Sequence, residues 1–288
     1  MVFSIHTYGA ADGAELRYGV LTAPQQASLS SPRQGLVFVP GLGGSVKNSL
    51  VFFNALLRHF SPIIVPDLRG FGLNDYHPLP HPRQFVADLN TLLEQLPHTV
   101  GLKPPWLLGG ISLGGCVISH WLGQSFTQSE FSPLGAWLLA PAVKEHPKAF
   151  DAQYVAQTLW AVAVRPKALM ALPYGLEALT QNPAVLNSPA HQEFMANFRL
   201  PARFLWQLRG FNRSSVQHYA NMALPVHMSV PLADRVICPQ AMQQAFTQLK
   251  PHVKHGLVAY PGLFHDVPLE QAMGSVITAV AQWADELL

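Results

Sequence analysis

The chain has 288 residues, 49% of them hydrophobic and only 12% charged, with a net charge of +2. That length suits one large domain with an insertion better than two independent domains, and so low a charged share leaves apolar surface over once a core is filled. Lys and Arg are scattered rather than clustered, which argues against nucleic acid as a partner.

The predicted elements begin with a β-hairpin, strands at 4–8 and 15–21 around the turn Ala11-Asp12-Gly13. The opening Met-Val-Phe-Ser-Ile-His lacks the basic start and apolar core of a signal peptide, so a cytoplasmic protein is expected. A Ser/Pro/Gln-rich loop follows at 25–34. Short apolar runs bounded by Pro or Gly then predict strands at 35–40, 62–66, 106–109, 136–139, 226–230 and 256–260, each buried on both faces of a sheet. Helices fit between and after them, at 49–59, 82–96, 114–122, 239–249 and 269–288. Strands alternating with helices predict a mostly parallel, doubly wound sheet behind the antiparallel hairpin.

One interval breaks that rhythm. From 144 to 224 no strand signal appears, and the chain is rich in Trp, Leu, Met and Phe and punctuated by prolines. It is too long for a connecting loop. It predicts a helical cap, residues 144–224, inserted into a core formed by 1–143 and 225–288. Within it, 151–164 has no charge after Asp151, and its longest near-apolar stretch is too short to span a bilayer. Two readings stay open: a helix buried against its neighbours, or a lid whose apolar face meets an acyl chain or a lipid surface.

The strongest chemical signal is Gly110-Ile111-Ser112-Leu113-Gly114, which ends a predicted strand and opens a helix. A serine on so sharp a turn has strained dihedrals, and glycines at 110 and 114 let the backbone pass close by. The helix N-terminus faces any negative charge developing there. A phosphate loop is disfavoured, because no Lys-Ser/Thr follows and the GxGxxG spacing is absent. Ser112 is the candidate nucleophile.

Its base must come later in the chain. Among thirteen histidines, His265 follows the last predicted strand through Pro261-Gly262-Leu263-Phe264, which places it at the same sheet edge as Ser112. Others, such as His77, His81, His252 and His255, read as solvated. Asp234, just past strand 226–230, is the leading candidate to orient the imidazole, ahead of Glu145 and Asp266. The oxyanion donors are assigned to the backbone N–H groups of Leu113 and of Leu42, within Pro40-Gly41-Leu42-Gly43-Gly44-Ser45. Asp67-Leu-Arg-Gly-Phe-Gly72 reads as architecture, with Arg69 pairing locally with Asp67. The cysteines Cys116 and Cys238 lack metal-ligand spacing and read as small buried hydrophobes, so neither a metal nor a cofactor is implied.

On these motifs the chain resembles the α/β-hydrolase superfamily. Within it the closest resemblance is to monoacylglycerol lipase and lysophospholipase-type enzymes, through Gly110-Ile-Ser-Leu-Gly-Gly115, Ala233-Asp-Arg-Val-Ile-Cys238 and Tyr260-Pro-Gly-Leu-Phe-His-Asp266. Leu179-Thr-Gln-Asn-Pro183 and Arg199-Leu-Pro-Ala-Arg-Phe204 are similar to the cap of that group. The chain departs from it in Pro40-Gly41, where the group has His-Gly, and in Asn74, where it has Ser. The resemblance implies a serine carboxylic ester hydrolase acting on a small-molecule acyl ester, a monoacyl lipid or another medium-to-long acyl ester, with transient lipid-surface contact through the cap. The same triad would also serve a thioesterase, acyltransferase, amidase or C–C hydrolase. A non-catalytic ligand-binding protein of this fold is the reading of a different class. Oligomeric state is not legible.

Overall fold

The structure, a computed structural model, describes residues 1–23, 34–127, 129, 131–251 and 253–288. The predicted loop at 25–34, except Gln34, lies outside the described residues, as does His252. The hairpin strands are β1 (Val2–Gly9) and β2 (Glu15–Thr22), in full register from Val2↔Thr22 to Gly9↔Glu15. Gly13 closes their turn at φ +83°, a conformation that favours glycine.

Beyond the hairpin, β3 (Gly35–Val39), α1 (Leu50–Leu56), β4 (Ile63–Pro66), α2 (Arg83–Thr99), β5 (Trp106–Ile111), α3 (Leu113–Gln124) and β6 (Gly135–Leu139) follow in alternation. The sheet resumes with β9 (Val226–Pro231), α8 (Pro239–Phe246), β10 (Gly256–Tyr260) and α9 (Met273–Asp285). The eight strands are ordered β1-β2-β4-β3-β5-β6-β9-β10, with the β1–β2 and β2–β4 pairs antiparallel and every later pair parallel. This is the α/β-hydrolase fold the sequence implies.

Side chains alternate between two cores, as the two-residue strand period requires. Val37 and Val39 of β3 face one core, with Leu92 of α2 and Val117 of α3. Leu36 and Phe38 face the other, with Phe52 and Phe53 of α1 and Val280 of α9. There Phe38 meets Phe52, Phe53 and Trp137 at ring separations of 5.5, 5.7 and 5.4 Å. Such aromatic contacts add about 0.5–1.5 kcal/mol each beyond area burial.

Between β6 and β9 the chain forms α4 (Ala152–Val164), β7 (Leu169–Ala171), α5 (Pro183–Leu186), α6 (Pro189–Asn197), β8 (Arg199–Pro201) and α7 (Ala202–Ser214). The expected absence of strands is corrected here: β7 and β8 pair as a small antiparallel ribbon. The buried-helix reading of 151–164 is also corrected. In α4 only Thr158 and Ala161 are buried, while Trp160 stands 62% exposed. Among the described residues no helix is long and apolar enough to cross a membrane.

Two core histidines make stability pH-dependent. His227 on β9 is buried beside Trp283, and neither ring nitrogen has a hydrogen-bond partner. Burial lowers its pKa from 6.5 to about 4. His120 on α3 is lowered to about 4 chiefly by burial, against a hydrogen bond to the Phe211 carbonyl. An unfolded His227 takes up a proton near pH 6.5 while the native one stays neutral until about 4, so stability falls as pH drops through that window. Denaturant titrations should therefore show His227→Phe losing roughly 3 kcal/mol less than wild type on acidification across it. Parallel stability curves for the two proteins would mean that His227 titrates normally.

Candidate active site

Strand β5 delivers Ser112 to the carboxyl edge of the sheet, and α3 starts at the next residue. Ser112 holds φ 53° and ψ −116°, a strained conformation worth about 1–3 kcal/mol. Three hydrogen bonds fix it. Its amide donates to Leu139 O at 3.0 Å, and its carbonyl accepts from Ala142 N and Cys116 N, both at 3.0 Å. The flanking glycines are sterically required. A methyl on Gly114 would overlap the Val39 and Pro40 carbonyls, and one on Gly110 would lie 2.8 Å from the Gly114 carbonyl carbon.

The loops after β9 and β10 are stitched together: Leu232 N donates to Tyr260 O at 2.9 Å and Ala233 N to Leu263 O at 3.1 Å. That pairing brings Asp234 and His265 side by side. Asp234 Oδ2 lies 2.6 Å from His265 Nδ1, and His265 Nε2 lies 2.9 Å from Ser112 Oγ. The other oxygen, Asp234 Oδ1, accepts from Val236 N at 2.7 Å and Ile237 N at 2.8 Å. These contacts assign the tautomer: Nδ1–H donates to the carboxylate, and Nε2 is free to accept the serine hydroxyl proton. His265 is 5% exposed and Asp234 3%. Burial of His265 opposes its protonation, but the charge and hydrogen bond of Asp234, with a smaller contribution from Asp266, outweigh it and raise the pKa above 6.5.

The structure thus brings Ser112, His265 and Asp234 together and leaves both rival acids out. Glu145 is held by Arg213, with Nε and Nη2 each 3.0 Å from its Oε2, and by Arg209. Asp266 turns into a cavity beside His265, its amide tied to Leu179 O at 2.8 Å. Burial there pushes its carboxyl up to about 6.

The loop carrying Leu42 passes close to the serine, since a methyl on Gly41 would lie 3.3 Å from Ser112 Cβ. Gly44 N closes it onto Gly41 O at 3.0 Å, with Gly43 at φ +74°. Among the described residues neither the Leu42 amide nor the Leu113 amide donates to a protein acceptor. Asp67 anchors this loop, accepting from Ser45 Oγ at 2.7 Å and from Val46 N and Leu73 N at 2.8 Å each. The expected Arg69–Asp67 pair is therefore corrected. Arg69 instead binds Asp88 through Nε and Nη2, at 3.0 and 2.7 Å, and Asp12 through Nη1 at 2.8 Å. Two further expectations change. His255 is not merely solvated, because it accepts from Val226 N at 3.0 Å, and Cys238 is only partly buried where Cys116 is fully so.

Two cavities meet at Ser112, sharing Leu42, Leu172 and Tyr174. The larger, about 440 Å³, runs past His265 between α1 and α6 and is walled by Phe52, Phe53, Phe194 and Phe198. The smaller, about 70 Å³, lies under α4 and α7, walled by Tyr154, Val155, Leu205 and Trp206, and it reaches Glu145, Arg209 and Asn212. That polar group carries no signature in the sequence, where Glu145 reads only as a rival partner for the imidazole. Among the described residues no group of three or more His, Cys, Asp or Glu side chains is placed to hold a metal ion.

By sequence, residues 30–272 match the family model described as serine aminopeptidase, S33. No curated protein matches the chain. In structure the chain is similar to a soluble variant of monoglyceride lipase from Saccharomyces cerevisiae in complex with a substrate analogue, at 18% identity and TM-score 0.80, covering 100% of this chain and 96% of that one. It is also similar to a monoacylglycerol lipase from Paleococcus ferrophilus, at 17% identity and TM-score 0.73, over 96% and 100% of the two chains. A thermophilic esterase from Thermogutta terrifontis matches at 18% identity and TM-score 0.65, over 99% of each chain. At those identities the likeness is one of fold.

Proposed function

The chain belongs to the serine aminopeptidase S33 family, and from that premise we propose that it is a serine ester hydrolase working through Ser112, His265 and Asp234. The observation that carries this reading is the unbroken chain of contacts from Ser112 Oγ through His265 to a buried carboxylate, 2.9 and 2.6 Å long. His265 Nε2 takes the serine proton as Oγ attacks the carbonyl carbon. The Leu42 and Leu113 amides receive the oxyanion, each such donor being worth about 10²–10³ in turnover. The imidazolium then protonates the leaving alcohol, and a water deprotonated by His265 frees the acyl group.

The leaving alcohol must lie within reach of the imidazole, and His265 lines only the larger cavity. The first carbons of the acyl chain then enter the smaller cavity beneath α4, beside Tyr154, Val155, Leu205 and Trp206, and the substrate is a medium-to-long acyl ester such as a monoacyl lipid. Residues 144–224 act as a cap over a core of 1–143 and 225–288. The exposed Leu159, Trp160 and Val164 of α4 and Leu169 beyond it offer a face for transient lipid contact. Peptide amino termini fit less well. An α-ammonium on the acyl side needs a free carboxylate, whereas Glu145 already faces two guanidinium groups.

The test is a series of p-nitrophenyl esters from acetyl to palmitoyl, run beside thioesters and amides. Val155→Trp fills the smaller cavity and is expected to lower kcat/KM at least ~10-fold more for octanoyl than for acetyl ester, the scale on which apolar pockets discriminate. An equal effect on both esters would place the acyl chain elsewhere, and turnover confined to amides would overturn the ester reading.

A further inference from the structure

The larger cavity carries an unmatched charge. Asp266 lines it directly beside His265, and among the described residues its carboxyl accepts no hydrogen bond. Asp266 is partly exposed, and neither of its oxygens is sealed off by the protein. Burial raises its pKa to about 6; the His265 and His191 rings oppose that shift, and the Glu270 carboxylate adds to it. At neutral pH the group is therefore an ionised carboxylate, open to the cavity and without a counter-ion.

The chemistry of the wall selects what could pair with it. Among the described residues no lysine or arginine lines this cavity. His191 on α6 also lines it, with Nδ1 tied to Ser188 Oγ at 2.9 Å. An anionic head group would be repelled by Asp266 and find no fixed cation to hold it. A wholly apolar one would strip water from the carboxylate and give nothing back. An ammonium pairs with the carboxylate and also suits the rest of the wall. Phe194 and Phe198, with rings 5.2 Å apart, stand there with Phe52 and Phe53, and aromatic faces attract a cation within about 6 Å. A hydroxyl could donate to Asp266 but would gain no such attraction from the rings. The position is also right. Adjacent Cα atoms are about 3.8 Å apart, so a group on a short spacer from the leaving oxygen at His265 comes within reach of Asp266.

We propose that Asp266 is a specificity residue for a cation on the leaving alcohol, so that acyl esters of amino alcohols bearing an ammonium are the preferred substrates. This rests on the ester-hydrolase reading and on the leaving alcohol occupying the larger cavity. Asp266 makes no hydrogen bond to the imidazole and carries no proton in the reaction. It acts on binding of the alcohol portion.

The experiment compares kcat/KM for octanoylcholine with that for neohexyl octanoate, in which a carbon replaces the nitrogen, and for monooctanoylglycerol. An ammonium also activates its own leaving oxygen, so the choline-to-neohexyl ratio is compared between proteins. That ratio is expected to fall about 10-fold in Asp266→Asn, the scale of a partly desolvated ammonium beside a carboxylate and aromatic rings. The glycerol-to-neohexyl ratio should change less. His191→Lys, which tethers an ammonium in the same cavity, should lower the choline ratio as well, and it carries the comparison should Asp266→Asn fail to fold. A choline ratio unchanged by these substitutions would overturn the proposal while leaving the ester reading standing. So would a glycerol ratio that falls as far as the choline ratio in Asp266→Asn, because the carboxylate would then be reading hydroxyls. Turnover of none of the three esters would overturn both.

Discussion

Labelling by a fluorophosphonate probe is expected to vanish in Ser112→Ala and nearly to vanish in His265→Ala. Ester turnover in each should drop by about 10⁴–10⁶, with no further loss in the double variant, because members of a catalytic unit are not additive. The geometry makes these the largest effects in the molecule. Among the described residues, only Ser112 Oγ stands 2.9 Å from a base whose other nitrogen is already committed to a carboxylate. The base works when neutral, and Asp234 raises its pKa above 6.5 despite burial. Activity should therefore climb with pH through a midpoint above that value, since the unprotonated imidazole is the form that accepts the proton. Labelling that persists in Ser112→Ala would remove the nucleophile from the mechanism altogether.

What could be read in advance was whatever is encoded locally. Strand β10 is predicted and found over Gly256–Tyr260, because Gly256 opens it and Pro261 closes it. The turn at Ser112 was legible because glycines at 110 and 114 are the only residues whose missing side chains clear Gly114 and the Val39 and Pro40 carbonyls. What could not be read depends on distant partners. Arg69 looked like a partner for Asp67, two residues away, yet it reaches Asp12 and Asp88, 57 and 19 residues off. Asp67 is thereby left to hold the loop of Leu42. Strands β7 and β8 span three residues each, too few to show a period, and exist through their mutual pairing. The exposure of α4 was illegible for a related reason. An apolar sequence states that a face wants cover, while only the packing of α7 and the cavity beneath decides which face receives it.

Asp234→Asn is the sharper experiment, because it should leave the fold intact and still cost about 10⁴ in kcat/KM. The side-chain oxygen of an asparagine can keep accepting from the Val236 and Ile237 amides, which hold Asp234 Oδ1 at 2.7 and 2.8 Å. Its amide nitrogen then faces His265 Nδ1, where the carboxylate oxygen now sits at 2.6 Å. Two donors cannot face one another, so the imidazole must carry its proton on Nε2 instead. That nitrogen can no longer accept from Ser112 Oγ, and the base is lost although every atom stays near its place. Asp234→Ala separates orientation from architecture, since it orphans two buried amides and should lower the melting temperature as well as the rate. If Glu145 or Asp266 oriented the imidazole instead, Asp234→Asn would be mild and Asp266→Asn or Glu145→Gln severe. Glu145 is tied to Arg209 and Arg213 and Asp266 makes no hydrogen bond to the ring, so the severe loss should fall on Asp234 alone.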